Sequence, residues 1–193
     1  MFFFSKDKSE FNPQSLEHAY LAILDDNLDA AIEIFKTIRS PRAEWGISLC
    51  EIIGGHIGKM PTYFQIRNFL EIDIDFLLKN EKIDYVEMLL GSLDYLSCIN
   101  QEVYKFAARV MLVNNLHKAA QKYMEKSKKI LYTDPELHFM LAKLYIEYKN
   151  YKQAYHYINE CLTILPNYYP AKTLKEEISQ YLLKNWCNFK ILV

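Results

Sequence analysis

Glycine and proline are scarce in this chain, five and six among 193 residues. Strand-like alternation of apolar and polar residues is not sustained anywhere, so a sandwich or barrel of short strands is excluded. No stretch of about 18 apolar residues occurs, and no transmembrane helix is expected. The four cysteines, Cys50, Cys98, Cys161 and Cys187, include no two closer than 26 residues. That removes metal sites of the CxxC type and leaves reduced thiols in a cytoplasmic protein as the expectation. The apolar run Met1-Phe2-Phe3-Phe4 is too short for a secretory signal, and Asp7 follows it. Net charge is −1, so no global field draws the chain to nucleic acid or to a membrane. A hydrophobic content of 51% with 24% charged residues belongs to a folded chain rather than a disordered one.

The near-zero charge hides a division. Residues 1–100 carry 9 Lys/Arg and 16 Asp/Glu, a net −7, while residues 101–193 carry 14 and 8, a net +6. Two accounts fit. The helix faces of the two halves differ only in how they are solvated, or the molecule is polar, with a basic half for an acidic partner or for head-to-tail pairing.

What is abundant is helical periodicity. The spacing predicts helices at 14–25, 28–39, 42–53, 62–79, 83–97, 101–114, 117–131, 135–148, 151–164 and 168–185. Asn12-Pro13, Ser40-Pro41 and Asp134-Pro135 each place a capping side chain before a proline at the first helical position. There the missing N–H costs nothing. Met60-Pro61 precedes a helix with no capping side chain in evidence. Pro166 and Pro170 bracket the last turn. The linkers are short and polar, so consecutive helices are expected antiparallel and adjacent.

A repeat of 34 residues runs through the C-terminal half. Tyr104, Ala107, Ala108, Met111, Ala120, Met124 and Ser127 recur as His138, Leu141, Ala142, Tyr145, Ala154, Ile158 and Cys161, 34 positions on. Pro166 closes the second copy. Small residues at 108, 120, 142 and 154 stand where two helices must approach closely, with larger apolar groups around them. The run His138-x-x-Leu141-Ala142-x-x-Tyr145, then Ala154-x-x-x-Ile158, then Pro166, resembles a tetratricopeptide repeat. Ala19, Ala31, Phe35 and Ile38 resemble a further copy at 12–45. A divergent one at 67–100 keeps Leu70, Leu77, Val86, Leu90 and Leu93. There Ile74 and Val86 replace the small residues, which should splay that pair. The resemblance implies an all-α fold, an antiparallel helix-pair solenoid of about ten helices closed by a capping helix.

The expected organisation is a single helical-repeat domain over 1–193. It comprises a repeat-like pair at 12–45, an irregular helix and Gly-rich joint at 46–66, the divergent repeat at 67–100, repeats at 101–134 and 135–168, and a capping helix with an apolar tail at 169–193. The joint follows from arithmetic, since 55 residues separate the starts at 12 and 67, more than one period. The tail, from Trp186 to Val193, is expected either to fold back on the capping helix or to meet a second subunit through Trp186, Phe189, Ile191 and Leu192.

Motifs for chemistry are missing. Gly54-x-x-x-Gly58-Lys59 is one residue short of a phosphate-binding loop, has Met60 in place of Ser or Thr, and joins helices rather than following a strand. A glycine-closed helix end accounts for it better. The histidines His18, His56, His117, His138 and His156 show no metal-ligand spacing. His18 and His138 fall at packing positions, and His56 is expected exposed. No nucleophile elbow occurs. Glu71, Asp73 and Asp75 alternate along a helix and cannot form one face, so they read most simply as a solvated acidic stripe; Ile72, Ile74 and Phe76 interrupt it and leave room for one of the two aspartates to be partly buried.

The resemblance implies a surface instead. In that family the first helix of each repeat lines a concave groove. In this frame the groove residues are Lys105, Arg109, Leu112, Val113, Phe139, Lys143 and Ile146. The family's best-known ligand is a C-terminal carboxylate held by Lys and Asn, whereas Arg109 and Lys143 stand here where that scheme has Asn. Three cations among apolar groups suit an acidic peptide or protein segment. The expected function is a non-catalytic, cytoplasmic binding adaptor or scaffold without cofactor or metal and without a membrane partner. The alternative is a self-assembly module, a homodimer or larger. Nucleic acid is the remote alternative: Lys118, Lys122, Lys126, Lys128 and Lys129 crowd one helix, but the overall charge disfavours it.

Overall fold

The structure, a computed structural model, describes residues 13–56 and 58–190, with side chains from Leu16 to Leu183. Eleven α-helices and no strand occur among the described residues. They fall into two compact units, 1–100 and 101–193, the boundary at which the charge changes sign.

The N-terminal unit contains α1 (Pro13–Leu24), α2 (Leu28–Lys36), α3 (Pro41–Ile53), α4 (Tyr63–Lys79), α5 (Ile83–Gly91) and α6 (Leu93–Leu96). The C-terminal unit contains α7 (Val103–Val113), α8 (His117–Ile130), α9 (Pro135–Glu147), α10 (Tyr151–Ile164) and α11 (Tyr169–Lys190). Within it α7 packs on α8, α8 on α9, α9 on α10 and α10 on α11. Ala107, Ala108, Ala120, Ala142 and Ala154 are fully buried, so the backbones of each pair approach closely where the repeat frame calls for small residues. Leu141, Met124, Ile158 and Cys161 fill the surrounding space. Each such apolar side chain contributes about 1.5–3 kcal/mol by leaving water.

The turn inside each helix pair is the same object. Asp26, Glu81, Asn115 and Lys149 all have left-handed backbones, with φ of 59°, 59°, 59° and 56°. Lys82 N–H donates to the Leu77 carbonyl at 3.0 Å, Leu116 to Met111 at 2.8 Å, Asn150 to Tyr145 at 2.8 Å and Asn27 to Ala22 at 2.9 Å. This pattern closes a helix C-terminus by satisfying a carbonyl that has no partner within the helix. Positions 81, 115 and 149 are each one 34-residue period apart. A fifth closure of the same type ends α3, where His56 N–H donates to Glu51 at 3.0 Å and Gly55 holds φ at 80°.

Helix starts follow the capping side chains. Ser40 accepts from Ala43 N–H at 3.1 Å, Asp134 from Glu136 N–H at 2.9 Å, and Asn150 from Gln153 N–H at 3.2 Å. The helix expected to begin without a cap after Met60-Pro61 has one. Thr62 accepts from Gln65 N–H at 3.3 Å, and the Gln65 side chain accepts from Thr62 N–H at 2.8 Å, a reciprocal pair. The helix expected over 83–97 is broken at Gly91-Ser92. The Ser92 hydroxyl donates to the Leu89 carbonyl at 2.7 Å, and the redirected chain buries Leu93 and Leu96. The last helix runs beyond the expected end at 185. Its backbone continues to Lys190; Ile191 and Leu192 lie outside the described residues, as do the side chains of Trp186 and Phe189.

In the N-terminal unit α3 packs against α2, α4 and α5. Most of its residues are buried, with Trp45, Leu49 and Cys50 among them. Gly46 permits that closeness, since a Cβ there would stand 2.5 Å from the Phe35 ring. Ile74 and Val86, at the positions where α7–α10 carry alanine, are buried. α4 and α5 meet less closely than α7 and α8 or α9 and α10 do.

Of the two aspartates that the isoleucines interrupt, Asp73 is the buried one, and wholly so. Its carboxylate accepts from Arg42 at 2.5 Å, from Trp45 Nε1 at 2.5 Å and from Tyr20 at 3.4 Å, so one group joins α1, α3 and α4. The Arg42 guanidinium lies over the Tyr20 ring at 4.9 Å and the Phe69 ring at 4.8 Å. Burial pushes the Asp73 carboxyl above the usual carboxylate range against the pull of Arg42, and burial together with Asp73 pushes the Cys50 thiol up to about 12.

Two outcomes are expected in urea unfolding. Asp73→Ala lowers stability by about 3–5 kcal/mol because it strands the Arg42 charge, whereas Arg42→Met combined with Asp73→Leu recovers most of that loss. Glu81→Gly and Lys149→Gly each raise stability by about 0.5 kcal/mol, relief of a left-handed backbone outweighing glycine's greater freedom when unfolded. Gly55→Ala lowers it by about 1 kcal/mol.

Candidate ligand groove

The groove forms within the C-terminal unit. Helices α7 and α9 line it side by side, because α8 packs behind them and returns the chain in the same direction. Arg109, Leu112 and Val113 come from α7; Glu136, Phe139, Met140, Lys143 and Glu147 from α9. Asn115 and His117 close it at the α7–α8 turn, and Tyr168 at the approach to α11. The hollow has a volume of about 380 Å³.

Of the residues expected on this wall, Arg109, Leu112, Val113, Phe139 and Lys143 line the groove. Ile146 is half-buried and does not line it. Lys105 does not line it either: its side chain is 5% exposed and is enclosed by carboxylates. Its ammonium lies 2.6 Å from Asp134, 2.8 Å from Glu102 and 3.3 Å from Glu136. Glu136 also takes Arg109 at 2.7 Å. Asp134 thus does two things: it caps α9 through one oxygen and anchors Lys105 of α7 through the other. Burial pulls the Lys105 ammonium down, but hydrogen bonds to Asp134 and Glu102 outweigh it, and the net displacement is upward.

The apolar side is built on Phe139, whose ring meets Tyr168 edge-on, with centroids 5.4 Å apart and planes at 90°. The Lys143 ammonium lies over that ring, 6.0 Å from its centroid. Val113 is 72% exposed, and Leu112 beside it is half-buried. Burial and Glu136 push the Tyr168 phenol up, so it stays a neutral donor at pH 7. The wall is therefore apolar in the middle and close to balanced in charge.

Repeat arithmetic alone reaches some of the lining residues that the sequence expectation omitted. Glu147 is Val113 one period on. Nothing in the frame marks Tyr168 or Met140.

The other features weighed for chemistry sit elsewhere. Glu51 accepts from the N–H groups of Gly58 at 3.0 Å and Lys59 at 3.1 Å, so the amides of the Gly-rich loop hold an internal carboxylate. His56 and His18 are exposed, while His138 is buried with Nε2 2.7 Å from the Tyr132 carbonyl. Among the described residues no three His, Cys, Asp or Glu side chains are grouped so as to hold a metal ion. No described helix is long and apolar enough to cross a membrane.

No family model matches the chain, and no curated protein matches it. Among solved structures it is similar to the C-terminal part of a TPR repeat-containing protein from Cytophaga hutchinsonii. The identity is 18% over 84% of this chain and 69% of the other, with a TM-score of 0.45. What the groove does has to come from its own geometry.

Lys105→Met is expected to lower stability by about 3–5 kcal/mol, because three carboxylates then face one another. The folded ammonium titrates above the unfolded one, so its stabilisation is complete below the unfolded lysine value of about 10.4 and is lost as pH rises through the folded value. Urea titrations of wild type and variant should therefore differ by a constant amount from neutral pH to about 10 and converge only in strong alkali.

Proposed function

We propose that the C-terminal unit binds a peptide or protein segment in the α7–α9 groove and performs no chemistry on it. One observation carries this: Phe139, Tyr168, Leu112 and Val113 leave apolar surface open in a concave site edged by charges. That combination marks a binding surface, since apolar contact supplies affinity and a few polar groups supply orientation. Arg109 is engaged by Glu136 and Lys105 by three carboxylates, which leaves Lys143 as the lysine on the wall that an incoming acid meets first. The favoured ligand is a segment with an apolar anchor next to one Asp or Glu, rather than a highly acidic stretch. The reduced thiols Cys50, Cys98 and Cys161 fit the same picture of a binding adaptor in a reducing compartment such as the cytoplasm.

Selection of a random twelve-residue peptide library on the immobilised protein tests it. Enriched peptides should pair an apolar residue with a nearby acid and should titrate by fluorescence polarisation. Lys143→Glu and Phe139→Ala should each weaken them by about tenfold or more. Equal enrichment on a Phe139→Ala, Val113→Asp double variant would overturn the proposal.

A further inference from the structure

Helix α8 carries Lys118, Lys122, Lys126, Lys128 and Lys129 against one acid, Glu125. Lys118, Lys122 and Lys129 are exposed, and at offsets of four and eleven they share a helix face. None of Lys118, Lys122, Lys128 and Lys129 makes an ion pair among the described residues. Carboxylates of the same unit, Glu102, Asp134 and Glu136, are engaged by Lys105 and Arg109 on the groove side. Lys122 lies over the Tyr123 ring at 5.4 Å and Lys128 over Tyr157 at 5.1 Å, which holds both ammonium groups against the surface.

Helix stability does not account for this arrangement. Lys128 and Lys129 sit in the last turn, where the helix dipole favours cations, but Lys118 and Lys122 sit near the N-terminus, where it opposes them. Lysines four apart also repel one another. A face held in this way is relieved by an anionic surface laid against it.

The chain carries such a surface in its other unit. Helix α5 exposes Asp84 and Glu87, and Glu81 stands exposed just before it. Ile83 and Met88 are exposed beside these acids, while Leu116 and Ile130 are exposed at the two ends of α8. The residues 1–100 and 101–193 carry −7 and +6, so like units of two copies repel and unlike units attract. We infer that the basic α8 face of one copy docks on the acidic α5 face of a second copy, a head-to-tail contact with apolar residues at its margins. A contact between two different surfaces does not close at a dimer unless the rotation forms a ring, so species larger than a dimer follow at high concentration.

Sedimentation velocity on the full chain tests the contact. Association should appear with rising concentration at about 50 mM salt and fall at least tenfold by about 500 mM, where screening is far shorter in range. Reversing α8 (Lys118→Glu, Lys122→Glu, Lys129→Glu) should give monomers, and so should reversing α5 (Glu81→Lys, Asp84→Lys, Glu87→Lys). An equimolar mixture of the two reversed proteins should associate again, and so should a chain carrying both sets. All these positions are exposed, and circular dichroism confirms that each variant is folded. If one reversed protein fails to fold, the other and the salt series still decide. A wild type that stays monomeric at low salt, or association that ignores salt and both reversals, overturns the inference. So does a monomer whose α8 lysines bind a labelled oligouridylate, since the face would then serve a nucleic-acid polyanion.

Discussion

Every helix pair in this chain turns on one residue held in the left-handed region. At Asp26, Glu81, Asn115 and Lys149 the backbone reverses sign in φ, and the residue that follows returns a hydrogen bond to the helix just completed. This local event fixes where the second helix starts and at what angle. The alanines at 108, 120, 142 and 154 can meet only because the turns deliver them opposite one another. The groove between α7 and α9 depends in turn on those contacts, since α8 must lie behind for the two to lie side by side. None of the four residues is glycine, so a left-handed strain is retained at each turn and is outweighed by the packing that follows.

Periodicity made the C-terminal unit legible. The positions that had to be small are small, and the offset of 34 predicts both turns. Legibility failed where one side chain answers to partners far away in sequence. Lys105 occupies a groove position in the frame, but Asp134 caps α9 of its own accord and draws the ammonium inward. Arg109 and Lys143 of the same frame line the hollow, whereas the Lys105 side chain is enclosed by carboxylates outside it. Ser92 and Thr62 show a different limit. A hydroxyl that can bond the carbonyl three residues back, or a glutamine three residues on, decides a boundary that apolar spacing leaves open.

The N-terminal unit was harder to read because a polar group organises part of its core. A run of alternating Ile and Asp suggests a wet helix face. In the structure Asp73 faces inward and satisfies Trp45, Arg42 and Tyr20 together, while Asp75 faces out and pairs with Lys79 at 2.5 Å. The surplus helix that breaks the repeat arithmetic, α3, supplies two of those three donors. Charge is sorted in the C-terminal unit too: carboxylates gather around Lys105 and Arg109, while Lys122 and Lys128 of α8 lie over tyrosine rings.

The reach of the Asp73 carboxylate also bears on how the two units acquire their structure. In the C-terminal unit neighbouring helices along the chain make the contacts, so each pair can form soon after its turn closes, and such local topologies fold fast. Tyr20 and Asp73 are separated by 53 residues. The N-terminal unit cannot complete its core until that loop has closed and three helices have been brought to one point. On a ribosome, α1 to α3 would emerge and wait for α4, exposing Trp45 and Phe35 in the interval, whereas the later pairs would settle one after another as they appear.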